Sequence, residues 1–295
     1  KNYINGEFVN SKSGSSFKSI DPSNENIMYS SVYYGAISKS TNGGGSFNDI
    51  SPANDGAWVT PYVLDPSNPN RIIAGYTEVW ESTDGGASWN TLTNGQAGGT
   101  IDAIAVSKSN GNVIYFSEYN DIYVTDDNGA TWTDITNGLP NRSISYIAID
   151  PNNSDKAWIT YSGFGNGQKV YKTTDRGNSW SNISAGIPNI PANCVIINHL
   201  NSGLEELYIG TDLGVYYKDT SMTLFQTFNN GLPNVIVNEL EIQYQNNQLI
   251  ATTYGRGIWK TDLPITLPPS ANFIASDTLI CDVPALVNFQ NSSTN

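Results

Sequence analysis

Histidine, cysteine and methionine are scarce in this 295-residue chain, which holds one, two and two of them. With His199 as its single histidine, it excludes histidine-rich metal centres. Any Ser-His-Asp triad would depend on that one side chain, and no Gly-x-Ser-x-Gly elbow accompanies it. Cys194 and Cys281 form neither a Cys-x-x-Cys pair nor a metal-ligand spacing. Basic residues are few as well: 14 Lys and Arg stand against 27 Asp and Glu, a net charge of −13. That balance repels phosphate backbones and anionic lipids, so nucleic acid is not an expected partner. Membrane insertion is not expected either, because no apolar run approaches the ~18 residues of a spanning helix. Charged residues as a whole reach only 14%. No cofactor or metal is implied.

What fills the chain instead is Gly, Asn, Ser and Thr, with 11% aromatic residues. Short strands joined by tight turns suit that mixture better than helices do. The order within it is a repeat. Ser82-Thr-Asp84-Gly-Gly-Ala-Ser88-Trp89, Thr125-Asp-Asp127-Asn-Gly-Ala-Thr131-Trp132 and Thr173-Thr-Asp175-Arg-Gly-Asn-Ser179-Trp180 are its clearest copies. Ser40 to Phe47 is a fourth, with Asn42 for Asp and Phe for Trp, and Lys218 to Phe225 keeps little beyond its ring. Nine residues before each closing ring stands a second mark: Ser38, Trp80, Tyr123, Tyr171 and Tyr216, with Trp259 as a sixth. These marks lie 42, 43, 48, 45 and 43 residues apart, a period of blades or solenoid turns.

Each unit reads as four strands. In the unit from Ser145 they are 145–150, 157–161, 168–173 and 180–184, separated by Pro151-Asn-Asn-Ser, the loop Gly163–Gly167 and the Asp-Gly turn. The 163–167 glycines are a loop and not a nucleotide fingerprint, since no helix follows them. Four strands repeated every ~43 residues predict an all-β fold, a β-propeller of four-stranded blades with six repeat units. Residues 1–263 form that propeller. The start, Asn2 to Val9, reads as a fourth strand without its blade, and the last unit lacks a fourth strand, so either the two combine to close a six-bladed ring or the sequence enters a larger propeller mid-blade. Residues 264–270 are a Pro-rich linker, and 271–295 resemble the opening strands of a PKD-type, Ig-like β-sandwich, truncated here. Cys281 is a candidate for pairing with a cysteine outside the chain, and Cys194 for a small buried apolar group.

The S/T-x-D-x-G-x-S/T-W repeat resembles the Asp-box, or BNR repeat, of sialidases, xyloglucan hydrolases, sortilin-type receptor ectodomains and photosystem assembly factors. The resemblance covers roughly residues 1–263 and implies the fold, whereas the chemistry of those families differs. Asp84, Asp127 and Asp175 are expected to accept N–H groups of their own turns, and Trp89, Trp132 and Trp180 to pin each outer hairpin to its neighbour. A calcium loop is excluded at Asp126–Gly129 by the missing alternating oxygens and distal Glu. In blade geometry these turns lie on the face opposite the loops between second and third strands.

For chemistry, sialidase-like catalysis would need converging arginines. Arg71, Arg142, Arg176 and Arg256 are the four present, with Arg71 and Arg176 expected on the wrong face, and no Phe/Tyr-Arg-Ile-Pro sequence exists. A xyloglucanase-like site needs two carboxylates, for which Glu239, Glu241 and Asp102 are candidates. Glu239 and Glu241 lie two apart on one strand and share a side. The candidate ligand-binding residues are Tyr76, Tyr119, Tyr161, Tyr254, Asp212 and Arg256, which the strand pattern places around a channel mouth, together with Tyr33. The resulting expectation is a non-catalytic module for protein or glycan binding and adhesion, with a polysaccharide glycoside hydrolase as the alternative. A propeller with a PKD-like tail resembles domains of large bacterial adhesins and hydrolases. It implies a secreted or cell-surface location, a type IX secretion substrate, and other domains or subunits of a larger assembly as neighbours. That tail argues against an assembly factor.

Overall fold

The computed structural model describes residues 26–264 except 54, 201–203 and 230, together with four short terminal strands: Asn2–Ile4, Glu7–Val9, Phe273–Ala275 and Phe289–Asn291. Lys1–Thr261 make one compact unit and Asp262–Asn295 another. The first is an all-β, six-bladed propeller. Blades 2 to 5 each have four antiparallel strands in chain order. Blade 2 comprises Tyr62–Asp65, Asn68–Gly75, Val79–Ser82 and Asn90–Thr91. Blade 3 comprises Ala103–Val106, Ile114–Glu118, Asp121–Thr125 and Thr133–Asp134. Blade 4 comprises Ile144–Asp150, Asn153–Tyr161, Val170–Thr173 and Ser181–Asn182. Blade 5 comprises Ala192–Asn198, Glu206–Thr211, Gly214–Lys218 and Gln226–Thr227.

Blade 1 shows its outer three strands (Met28–Val32, Ala36–Ser40, Asn48–Asp49) and blade 6 its inner three (Val237–Gln243, Gln248–Thr253, Gly257–Asp262). The segment read as a lone fourth strand is described as a hairpin of its own, Asn2–Ile4 against Glu7–Val9. In the second unit Phe273–Ala275 pairs with Phe289–Asn291. The rest of the expected PKD-like sandwich, the linker after Pro264 and Cys281 lie outside the described residues.

The apolar cores sit between blades. Ile73, Val79, Ile104 and Phe116 fill the gap between blades 2 and 3. Ile122, Ile144, Ile159 and Tyr171 fill the next, and Trp158, Val195, Leu207 and Tyr216 the one after. Strand alternation gives every blade two apolar faces, and stacking the blades radially buries both.

The first strands of blades 4, 5 and 6 carry bulges at Ile144/Tyr146, Ala192/Cys194 and Val237/Glu239. A bulge re-aims the residue it inserts. Ser145 Oγ donates to the Ala192 carbonyl at 2.6 Å, and Asn193 Nδ2 to that of Val237 at 3.1 Å, tying each inner strand to the next.

The repeated turns close on themselves. Asp84 Oδ1 accepts the N–H groups of Ala87 and Ser88, both at 2.9 Å, and Oδ2 the Ser88 hydroxyl at 2.6 Å. The Ser82 hydroxyl donates to Asp84 at 2.8 Å and accepts the Gly86 N–H at 2.7 Å. Asp127 and Asp175 repeat the pattern with Thr131 and Ser179. Asn42 reproduces half of it, its Oδ1 accepting Ser46 N–H at 2.9 Å while its amide donates to the Ser46 hydroxyl. Hydrogen bonds from Ser88 hold the Asp84 carboxyl down to about 2. The indoles of Trp89, Trp132 and Trp180 donate to the carbonyls of Ile50, Leu92 and Ile135, each in the preceding blade.

Candidate functional site: the channel mouth

The two faces of the propeller differ in what they display. On one, the repeated turns bond to the beginnings of the second strands, as in Gly85 N–H to the Asn70 carbonyl (2.7 Å) and Arg176 N–H to that of Asp155 (2.8 Å). On the other, the tips between second and third strands bond to the blade connectors. Tyr34 N–H reaches Ala57 O, Ile144 N–H reaches Tyr119 O, Asp212 N–H reaches Pro191 O, and Tyr254 N–H reaches Ile236 O, at 2.7–3.3 Å. This second face surrounds the mouth of the channel. It carries most of the exposed large apolar side chains, including Tyr33, Tyr34, Trp58, Tyr119, Phe164 and Tyr254.

Tyr119 (60% exposed) and Tyr254 (72%) project from their hairpin tips. Tyr119 and Tyr34 hold φ of 52° and 60°, a left-handed conformation that costs a bulky residue ~1 kcal/mol or more. Tyr33 stacks on Trp58 at 4.6 Å, and Tyr34 meets the same indole edge-on at 5.4 Å. Tyr76 and Tyr161, expected beside them, are instead buried. Tyr76 lies over Gly35, where a Cβ would fall 2.2 Å from its ring, and its hydroxyl donates to the Gly35 carbonyl. Burial pushes that phenol up to about 12. Tyr161 ends the second strand of blade 4 and meets Tyr171 edge-on at 5.5 Å within the core. Asp212 is half-buried and accepts the Asn193 amide at 3.1 Å, and Arg256 stands exposed at the tip of blade 6.

Carboxylates lie at two depths. Asp102 is at the mouth and accepts the Tyr119 N–H at 2.8 Å, which opposes the upward push of desolvation on its carboxyl. Glu118 accepts the Gly98 N–H at 3.0 Å under the same opposing influences. On the inner strand of blade 6, Glu239 accepts the hydroxyl of Tyr146, on blade 4, at 2.8 Å. Desolvation raises the Glu239 carboxyl to about 7, with Tyr146 lowering it and Glu241 raising it. Glu241 remains solvent-accessible although the surrounding channel wall raises its carboxyl too. Cys194 is buried beside this pair, and its thiol is free and raised by burial.

The arginines do not converge. Arg71 is buried on Asp65 and Glu81, both at 2.7 Å. Arg176 pairs with Asp126 and Asp155 in a cleft of about 450 Å³ between the turns of blades 3 and 4. His199 follows the first strand of blade 5 and lies 2.9 Å from the Tyr244 hydroxyl. No group of three His, Cys, Asp or Glu among the described residues is placed to hold a metal ion. Among the described residues no helix is long and apolar enough to cross a membrane. Sequence reasoning missed Tyr34, Trp58 and the Tyr146 partner of Glu239. The doubled Tyr33-Tyr34 before a glycine was the available signal for the first.

Radial blades with hairpin turns at the rim and an aromatic mouth define a propeller of the sialidase and sortilin type. The family model Sortilin-Vps10, described as "Sortilin, neurotensin receptor 3,", matches residues 77–187 and, overlapping, 120–232. The two matches together span more than half of the sequence, and the chain belongs to this family. Among solved structures it is similar to an ancestral GH74 enzyme (TM-score 0.63, 19% identity, 81% of this chain and 35% of that one). It is similar to the GH74 xyloglucanase from Xanthomonas campestris (TM-score 0.64, 14% identity, 82% and 43%). A third is YCF48 bound to D1 peptide (TM-score 0.58, 12% identity, 81% and 75%). These likenesses carry the fold alone. The chain spans less than half the length of either GH74 enzyme. No curated protein matches it by sequence.

Proposed function

We propose that the chain is a non-catalytic binding module, which docks a protein or glycan ligand on the channel-mouth face. The observation that carries the reading is the exposure there of Tyr33, Tyr34, Trp58, Tyr119 and Tyr254. Exposed aromatic patches of this kind mark binding surfaces, and the hairpin tips that demand positive φ are filled by Tyr34 and Tyr119 where glycine or asparagine would cost less. A propeller of similar fold is known with a bound peptide, which favours protein over glycan. A secreted or cell-surface location within a larger assembly fits the net charge of −13 and the GH74-like fold. A ring closed by the N-terminal segment and a PKD-like domain after the linker complete this proposal.

Binding to peptide and glycan arrays tests it, with Tyr119→Ala, Tyr254→Ala and Trp58→Ala as variants. Each is expected to weaken binding about tenfold while leaving the melting temperature unchanged. Retained binding in all three sinks the reading.

A second reading, glycoside hydrolysis, draws on Glu239, whose carboxyl near 7 suits a general acid. Glu241 or Asp102 would then supply the second carboxylate. Release of reducing sugar from xyloglucan, abolished by Glu239→Gln, would replace the first reading with this one.

A further inference from the structure

Among the described residues four basic side chains of this acidic protein are answered by carboxylates: Arg71 by Asp65 and Glu81, Lys156 and Lys172 by Glu205, Arg176 by Asp126 and Asp155. On the channel-mouth face Arg256 stands exposed to solvent, and two further cations, packed against the blade 4 loop, meet no carboxylate. Arg142, in the connector from blade 3 to blade 4, makes no hydrogen bond or ion pair among the described residues, and its Nε is buried without a partner. Lys169, which precedes the third strand of blade 4, is 0% exposed. Its ammonium donates to the Gly163 carbonyl at 2.7 Å and reaches no carboxylate. The two cations lie close enough to repel, and the Lys169 ammonium is lowered by burial first and by Arg142 second, with Asp212 of blade 5 opposing at a distance longer than an ion pair. A buried charge left unneutralised costs several kcal/mol and is rare.

Local geometry holds them there. The guanidinium lies flat on the glycine loop: a Cβ on Gly165 would fall 2.6 Å from Nε and 2.7 Å from Cζ. Its terminal nitrogens therefore stay free on a partly exposed side chain. A planar guanidinium with unused donors is shaped for the two oxygens of a carboxylate. Between the two glycines that meet the guanidinium, Phe164 is 69% exposed. It has neither a hydroxyl nor a broad indole face, so it suits an apolar side chain better than a sugar ring.

We infer that Arg142, with Lys169 beside it, anchors a side-chain carboxylate of an acidic peptide whose neighbouring apolar residue packs on Phe164. The inference rests on the reading of the mouth as a binding face and names the chemistry of its ligand. Arg142 contacts the carboxylate, and Lys169 adds positive potential. The ligand completes a charge balance that the fold leaves open. With a net charge of −13 the protein as a whole repels such a peptide, so affinity depends on this local pair.

The test measures binding of two capped decapeptides to the whole chain by calorimetry, one alternating Glu with Leu and the other Gln with Leu. The Glu peptide is expected to bind at least about tenfold more tightly, as a charge-assisted bond requires. Arg142→Gln and Lys169→Met should erase that preference, Arg142→Lys should restore part of it, and both deletions should melt at or above the wild-type temperature. Equal binding of the two peptides overturns the inference, as does a lowered melting temperature for Arg142→Gln, which would mean that the guanidinium is satisfied by the fold. Preference for oligogalacturonate over the Glu peptide overturns it in favour of an acidic glycan. If Trp58→Ala weakens both peptides and Arg142→Gln weakens neither, the mouth remains the binding face and the carboxylate anchor falls.

Discussion

The Tyr146 hydroxyl donates to Glu239 Oε1 at 2.8 Å, joining blade 4 to blade 6 past the inner strand of blade 5. A proton held on Glu239 near neutral pH makes this contact sensitive to acidity. The folded carboxyl sits at about 7 against 4.5 for the free group, so the folded state keeps its proton over that window. Its stability is therefore full below about pH 4.5, declines as pH rises to about 7, and stays reduced above. Glu239→Gln keeps the acceptor and removes the charge. It is expected to stabilise the protein on the order of 2 kcal/mol at about pH 8.5 and hardly at all at about pH 4. Urea unfolding at the two pH values decides, and an equal effect at both would disprove it.

Arg71 offers a harsher test. Its guanidinium is buried on Asp65 and Glu81 and also donates to the Gly111 carbonyl of blade 3 at 2.6 Å. Arg71→Ala leaves two shielded carboxylates without a cation, a loss of about 3–5 kcal/mol. Arg71→Lys cannot reproduce the fork and recovers only part. Chemical denaturation of both variants measures this, and a cost below about 1 kcal/mol would contradict it.

The rim tryptophans separate hydrogen bonding from packing. Trp180→Phe removes the 2.9 Å bond to the Ile135 carbonyl while keeping a ring, for about 1 kcal/mol. Trp180→Ala also opens the packing against the core of blades 3 and 4, for about 3 kcal/mol. Similar losses in the two variants would show that the ring contributes little.

Two glycines with the same backbone sign should behave differently. Gly186 has φ of +97°, and a Cβ there would lie 2.3 Å from the Phe225 carbonyl oxygen. Gly138, at +87°, has open space around it. Gly138→Ala is expected to cost about 1 kcal/mol from conformation alone, and Gly186→Ala more than 2 kcal/mol because backbone must also move. Thermal melts of the pair provide the comparison.

The six repeat units, their strand order and the placement of the Asp-bearing turns were legible in the residues, because the 42–48-residue period repeats a local chemistry that folds the same way each time, whereas the number of blades in the ring was not. The face opposite was legible only as a position. Tyr76 and Tyr119 occupy similar places in their repeats, yet one ring turns inward over Gly35 and the other outward from a two-residue tip. Which happens depends on room made by a neighbouring blade, and no local pattern encodes that. Arg142 and Lys169 stand 27 positions apart, and their lack of carboxylate partners belongs to three-dimensional charge placement. Glu239 and Glu241 were readable as sharing a side, whereas Tyr146, from two blades away, was not.

Each indole bond reaches backward along the chain, from Trp89 to Ile50, from Trp132 to Leu92 and from Trp180 to Ile135. A ribosome therefore delivers every one of these acceptors before the donor that seeks it. Assembly of the propeller can follow synthesis, each newly emerged hairpin latching onto one already in place, and shuffling the units would strand indoles beside the wrong neighbour.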